Sequence, residues 1–254
     1  MFGAPMFMKA AGAGGGFDPS TALVCLDPSD LDTLWQDASG TAPVTSNNNP
    51  VARVDNKGAA GGYVSISDTT RRPLYQVSSG LHWLLADGVN DALEIGSRFG
   101  LGANPGLTVV AGMRILGNGS QSPRIWALGT TGASGVLTGT NGSAGWSWRH
   151  NNGYEAYGSA IQDVDCVVTW RRAAGSTYAG DRFFFNGAEK AVAGSSGTGI
   201  SPTNTGNYFS VHGTLASGGY SNHRLYGLLL MEVDDDEIQA RAEAWMAAKA
   251  GVSL

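Results

Sequence analysis

The sequence predicts an all-β protein, an antiparallel two-sheet sandwich of jelly-roll type closed by a single C-terminal α-helix. Three observations carry this expectation. Short apolar or alternating runs recur from residue 23 to residue 231, each ended by a cluster of Gly, Asn, Ser or Pro. Glycine fills 38 of 254 positions and supplies the positive-φ residues that tight turns need, whereas charged residues reach only 15%, too few for a helical bundle. The last segment then changes period, from alternation to a helical stripe. With 7 Trp, 8 Tyr and 8 Phe the chain can bury a large apolar surface, which argues against disorder.

Taken in order, Leu23 to Leu26 (LVCL) reads as a first strand. Asp30 to Asp37 reads as a helical turn running into a strand end, and residues 38 to 62 as turns. Tyr63 to Ser67 (YVSIS) alternates, so Tyr63 and Ile66 belong on different faces. Leu81 to Leu85 and Ala92 to Ile95 flank the turn ADGVND. Leu107 to Leu116 is a long alternating strand in which Gly112 marks a candidate bulge. Arg124 to Leu128 and Gly145 to Arg149 follow, the latter with Trp146 and Trp148 on one face. Val164 to Arg171, Arg182 to Phe185, Tyr208 to Val211 and Arg224 to Met231 complete the strands, and Asn186-Gly187 is a hairpin turn pair. No fixed-period repeat appears, which disfavours a propeller or solenoid.

The two ends differ from the middle. From residue 235 to 250, Ile238, Ala242, Trp245 and Met246 recur at helical spacing; Asp234 with Glu237 fits a capping box and Gly251 a C-terminal cap. Trp245 is expected to pack on the sandwich. At the other end, residues 1 to 16 place Met1, Phe2, Met6, Phe7 and Met8 ahead of AAGAGGG, an apolar plug on a flexible tether. Such a segment orders by docking into a groove on another protein; a frayed terminus is the alternative. It lacks the basic leader of a signal peptide and no window suits a membrane span, so the chain reads as soluble and unprocessed.

Charge and cysteine usage narrow the partners. A formal net charge of −5, with no Lys/Arg run, excludes a nucleic-acid footprint. Cys25 and Cys166 lack metal-ligand spacing and read as buried free thiols, with a disulfide between distant strands as the other reading.

The order of several segments carries a resemblance. The run LWQDASGTAPVTSNNNPVARVDNKG (34 to 58), then RRPLYQ (71 to 76) and LLADGVNDALEI (84 to 95), resembles the opening of LamG-like, concanavalin A-like jelly-roll domains of bacteriophage and prophage structural proteins. Trp35 and Asp37, Arg72 and Pro73, and Asp87, Gly88, Asn90 and Asp91 are the matching positions. FFFNGAEK (183 to 190) is similar to a hairpin of that fold, and the ending from Arg224 onward to its penultimate strand and terminal helix. The match spans about residues 20 to 254, and its individual motifs are degenerate. The resemblance implies a lectin-like sandwich on a virion, in fibres, spikes or tail tips. An arm at residues 1 to 16 departs from the isolated domain and suits an anchor to other virion proteins.

Candidate chemistry is sparse. Glycan-cleaving enzymes on this fold use two carboxylates on one strand face, and only Glu232, Asp234 and Glu237 offer them, where a helix N-terminus already accounts for acidic residues. The histidines at 82, 150, 212 and 223 are scattered, without metal-ligand spacing or a nucleophile elbow. Trp148, Arg149, His150, Asn151, Asn152 and Tyr154 combine aromatic rings with polar loop groups that suit a sugar, although two tryptophans on one strand face, Trp146 and Trp148, are more often core than platform. Asp87, Asn90 and Asp91 are turn formers that also fit a Ca²⁺ loop, as in some relatives of the fold. The expectation is therefore a non-enzymatic virion protein without an obligatory cofactor, anchored through its arm, homo-oligomeric and by analogy trimeric. The alternative is an adhesin module for host surface glycans, with a glycoside hydrolase third.

Overall fold

A computed structural model of the chain describes residues 16–97, 99–101, 105–116, 124–129, 135–140, 145–150, 154–160, 162–175, 180–191, 194–196, 208–213 and 219–254, with backbone alone at 129, 135–140, 145–150, 154–160 and 194–196. The strands are β1 (Val24–Leu26), β2 (Leu34–Trp35), β3 (Arg53–Asp55), β4 (Tyr63–Ser65), β5 (Leu74–Ser78), β6 (Leu81–Asp87), β7 (Leu93–Ile95), β8 (Leu107–Ile115) and β9 (Arg124–Gly129). They continue as β10 (Gly135–Thr140), β11 (Gly145–His150), β12 (Tyr154–Ala160), β13 (Cys166–Arg172), β14 (Arg182–Phe185), β15 (Ala188–Glu189), β16 (Gly194–Ser196), β17 (Phe209–Val211) and β18 (Asn222–Met231), before α1 (Asp236–Ala250). Two antiparallel sheets result. Sheet A runs β15-β14-β13-β8-β18-β6-β5, with β1 added on β18; sheet B runs β16-β12-β11-β10-β9-β17-β7-β4-β3-β2. The expected two-sheet sandwich with one terminal helix is the fold of this chain.

Alternation along the strands builds two apolar layers. In β8, Leu107, Val109, Ala111, Met113 and Ile115 enter the core between the sheets, together with Trp170, Phe209, Leu228 and Leu230. Val110, Val167, Leu229 and Met231 point to the other side of sheet A, where Ala242, Met246 and Ala247 of α1 cover them. Both faces of these central strands are thus buried, which is why VVA- and LLLM-type runs appear where half-exposed strands would alternate with polar residues. The candidate bulge at Gly112 is displaced. The extra residue falls on the facing strand between Leu225 and Gly227, and Gly112 instead makes room for the helix, since a Cβ there would sit 2.9 Å from Met246 Sδ.

α1 docks through polar contacts as well as apolar ones. Arg171 projects from β13 under the first turn, pairing with Asp234 and Asp236 and reaching Gln239 Oε1 at 2.9 Å. Gln239 Nε2 donates to Glu243 Oε1 at 3.1 Å, and Thr169 Oγ1 donates to the same oxygen at 2.6 Å. At the far end Lys249 Nζ reaches Asp27 at 3.0 Å. These contacts correct the expected cap: Asp235, not Asp234, is the N-cap, accepting from Ile238 N at 2.8 Å, because Asp234 turns to Arg171. Gly251 closes the helix at φ 68°, as expected. Trp245 lies at the edge of this interface, its ring 6.2 Å from that of Phe17.

The two thiols are free and buried on opposite faces of sheet A, Cys166 in the inner layer and Cys25 in the outer one. Burial pushes each up to about 12, so neither is a nucleophile. Among the described residues no helix is long and apolar enough to cross a membrane.

Candidate functional site

With α1 on sheet A, no α-helix among the described residues covers the outer face of sheet B. Leu34, Val54 and Val64 stand opposite one another in the core, so their strand neighbours face outward. One cross-strand row on that face runs Trp35, Arg53, Ser65, Glu94, Ser210 and Ala127. Asp55 and Tyr63 form the adjoining pair. Tyr63 and Ile66 therefore do lie on different faces, Ile66 being buried in the core.

Asp55 organises the group. One carboxylate oxygen accepts from Trp35 Nε1 at 2.8 Å and the other from Arg53 Nε at 2.6 Å. The Arg53 guanidinium then lies 3.8 Å from the centroid of Tyr63, and its Nη1 donates to the Ser39 carbonyl at 3.3 Å. Gly40, at φ +76°, leaves space for that reach; a Cβ there would stand 2.9 Å from Arg53 Nη1. Tyr63 remains 39% exposed, and along the row the Tyr208 hydroxyl donates to Glu94. The result is a flat patch of oriented rings bordered by a held arginine–carboxylate pair. It offers stacking surfaces and hydrogen-bond groups.

This cluster was not anticipated as a site. Trp35 is visible only as part of a motif, and Arg53 and Asp55 lie in a stretch that reads as turns. A usable signal exists in the period-two spacing of Arg53 and Asp55 around Val54, which puts both on one face.

The sequence-predicted sugar residues distribute as follows. Trp148, Arg149 and His150 lie on β11 and Tyr154 opens β12, with His150 and Tyr154 directly opposite each other. Arg149 pairs with Leu137, which pairs with Ala127, so its register position extends the row just described. Trp148 pairs with Thr138, which pairs with Trp126. Asn151 and Asn152 lie outside the described residues, as do Met1, Phe2, Met6, Phe7 and Met8.

The motif residues act as ties between loops. The Thr41 hydroxyl donates to Asp37, as do Ala42 N at 3.1 Å and Thr41 N at 2.8 Å, and those bonds hold its carboxyl well below the usual range. Arg72 donates to the Gln36 carbonyl at 2.8 Å. Asp87 Oδ1 accepts from Val89 N at 2.7 Å and Asn90 N at 3.2 Å, while Asp91 Oδ2 accepts from Asp87 N at 2.9 Å. Burial pushes the Asp91 carboxyl up to about 6. Oxygens spent on turn amides, one of them on a carboxyl shifted toward its neutral form, fit a turn and not a Ca²⁺ cage. Among the described residues no group of three His, Cys, Asp or Glu side chains could hold a metal. Of the acidic trio, Asp234 is engaged by Arg171, and Glu237 lies 3.8 Å from Arg241.

Two histidines separated in the sequence meet. His223, on β18, and His212, just past β17, are both fully buried and bridge the sheets at one end of the core, with Nδ1 of His212 3.1 Å from Nε2 of His223. His223 Nδ1 is 3.1 Å from the Ser221 carbonyl, which can only accept, so this nitrogen carries the proton. Nε2 of His223 therefore accepts from His212 Nδ1. Burial holds both rings neutral, with His223 pushed down to about 4.

The fold is that of an antiparallel two-sheet β-sandwich closed by a C-terminal helix. No protein-family model matches the chain, and no curated protein matches it in sequence. Solved structures do. Trypanosoma rangeli sialidase in complex with 2,3-difluoro-KDN aligns with a TM-score of 0.57 at 12% identity, over 94% of this chain and 34% of the sialidase. The same enzyme with 2,3-difluorosialic acid aligns at 0.57 and 13% identity, over 96% of this chain and 36% of the other. The CBM40 of a Ruminococcus gnavus IT-sialidase, bound to alpha2,3 sialyllactose, is more distant, at 0.39 and 15% identity over 54% of this chain and 83% of the module. The chain thus spans about a third of the length of the T. rangeli enzyme. At these identities the likeness is one of fold. It also overturns the expectation of a non-enzymatic protein as a reading of this fold, since solved structures that align over nearly the whole chain are those of a sialidase.

Proposed function

We propose that this chain is a glycan-recognising β-sandwich that works in the setting of carbohydrate processing. The observation that carries this reading is the outward patch of Trp35, Arg53, Asp55 and Tyr63, with its rings and hydrogen-bond groups oriented before any ligand arrives. The whole-chain likeness in fold to sialidases supports it. A glycan array is expected to show binding by the intact chain. Tyr63→Ala should weaken that binding by about tenfold or more, because the exposed ring carries stacking that no neighbour replaces. No binding by the intact chain, or an unchanged Tyr63→Ala, would overturn the reading.

The ordered motifs from Trp35 to Asp91 and the Met/Phe-rich residues 1 to 16 support a further placement, on the surface of a phage particle with the arm held by other virion proteins. Deleting residues 2–16 is expected to leave a folded sandwich that no longer enters particles. Normal incorporation of the shortened chain would refute that placement.

A further inference from the structure

The outer face of sheet A is only partly covered by α1. Beyond the helix, Leu74, Leu85, Arg224 and Arg114 form a cross-strand row over β5, β6, β18 and β8. Their neighbours Leu84, Leu225 and Met113 point into the core, so the row faces outward. Arg224 and Arg114 are direct partners. Like charges in that position repel unless an anion lies between them.

Asp165 meets that need in part. Its Oδ2 accepts from Arg114 Nη1 at 3.3 Å, and its Oδ1 is already taken by the Tyr226 hydroxyl at 2.5 Å. Burial and Asp165 push that hydroxyl up to about 12, so Tyr226 stays a donor. Arg224 lies 4.7 Å from the ring centroid of Trp83. Among the described residues, two buried donors on this face, Trp83 Nε1 and Arg114 Nε, have no partner, although Trp83 is only 7% exposed. The Tyr226 oxygen accepts from Arg224, yet among the described residues two guanidiniums still face one carboxylate and leave one positive charge.

From this excess we propose that Arg114, Arg224 and Trp83 form a subsite for the carboxylate of an acidic sugar. A single residual charge matches a monoanion better than a doubly charged phosphate. The guanidinium fork matches a carboxylate in shape, and the half-buried Leu74 and Leu85 provide an apolar wall for the C–H groups of a sugar ring. The inference rests on the glycan-recognition reading but uses the opposite sheet from Tyr63.

The test titrates the full chain with D-glucuronate, D-glucose and inorganic phosphate, following affinity by calorimetry and the Trp83 indole N–H by NMR. Glucuronate is expected to bind at least about tenfold more tightly than either competitor and to shift the indole signal. Arg224→Gln, which keeps the aliphatic stem, should remove that preference, with Arg114→Gln as the second variant. Glucuronate binding no tighter than glucose or phosphate, or a preference unchanged in both variants, would overturn the subsite. Because Tyr63→Ala leaves sheet A untouched, failure of the array with glucuronate binding retained would reject only the sheet B reading.

Discussion

Lowering the pH from 6.5 to 4 is expected to destabilise the sandwich, with most of the slope above pH 5, where ordinary carboxylates are still ionised. The cause is the histidine pair between the sheets. An unfolded histidine titrates near 6.5, whereas burial holds His223 down to about 4 and His212 well below its ordinary value. Acid therefore protonates the unfolded chain first. The stabilisation is complete above the unfolded value and is lost as the pH falls through the folded one. The His223 ring contributes on the order of 3 kcal/mol over this window, and His212 acts in the same direction. Asp91 works in the opposite sense, because its carboxyl, raised to about 6, accepts a proton in the folded chain earlier than in the unfolded one. Urea melts at pH 7, 6, 5 and 4 check the slope. His223→Gln, which can still donate to Ser221 and accept from His212, should flatten it, and Asp91→Asn should steepen it. A wild-type profile that is flat above pH 4 would contradict the account.

Arg171→Ala is expected to cost about 3 kcal/mol, the scale of breaking a buried charge network from one side. The side chain is 6% exposed, and its loss strands Gln239 and Asp234 at the foot of α1. Arg171→Lys should recover only part of this, since one ammonium cannot replace a fork that serves Asp234, Asp236 and Gln239 together. Urea unfolding at pH 7 measures both. A loss below about 0.5 kcal/mol for the alanine variant would mean that α1 docks through its apolar face alone.

How much of this was readable beforehand depended on range along the chain. The terminal helix was legible because its period and its Gly251 cap are local, yet its N-cap was misplaced by one residue, since only the distant Arg171 decides which aspartate turns inward. Arg224 to Met231 was legible as a strand, but not that both its faces are buried, because α1 arrives from elsewhere. The patch on sheet B needs the register of β2, β3 and β4, which links Trp35 to Arg53 and Asp55 to Tyr63 across turns of variable length. His212 and His223 looked scattered because spacing along a chain does not reveal a contact between two sheets. Arg114 and Arg224 are hidden in the same way, 110 positions apart and directly opposed.

The pairing of β1 with β18 also sets how this domain answers a mechanical load. Val24 stands opposite Leu230, so the chain enters β1 beside the point where it leaves β18. Tension applied between residue 17 and residue 232 pulls on the same end of an antiparallel pair. Its hydrogen bonds then fail one after another, as a zipper opens, instead of sharing the force in shear. What strengthens that end is Phe17, whose ring must part from Trp245 before β1 begins to peel, while Asp27, at the far end of β1, holds Lys249 until the strand has opened.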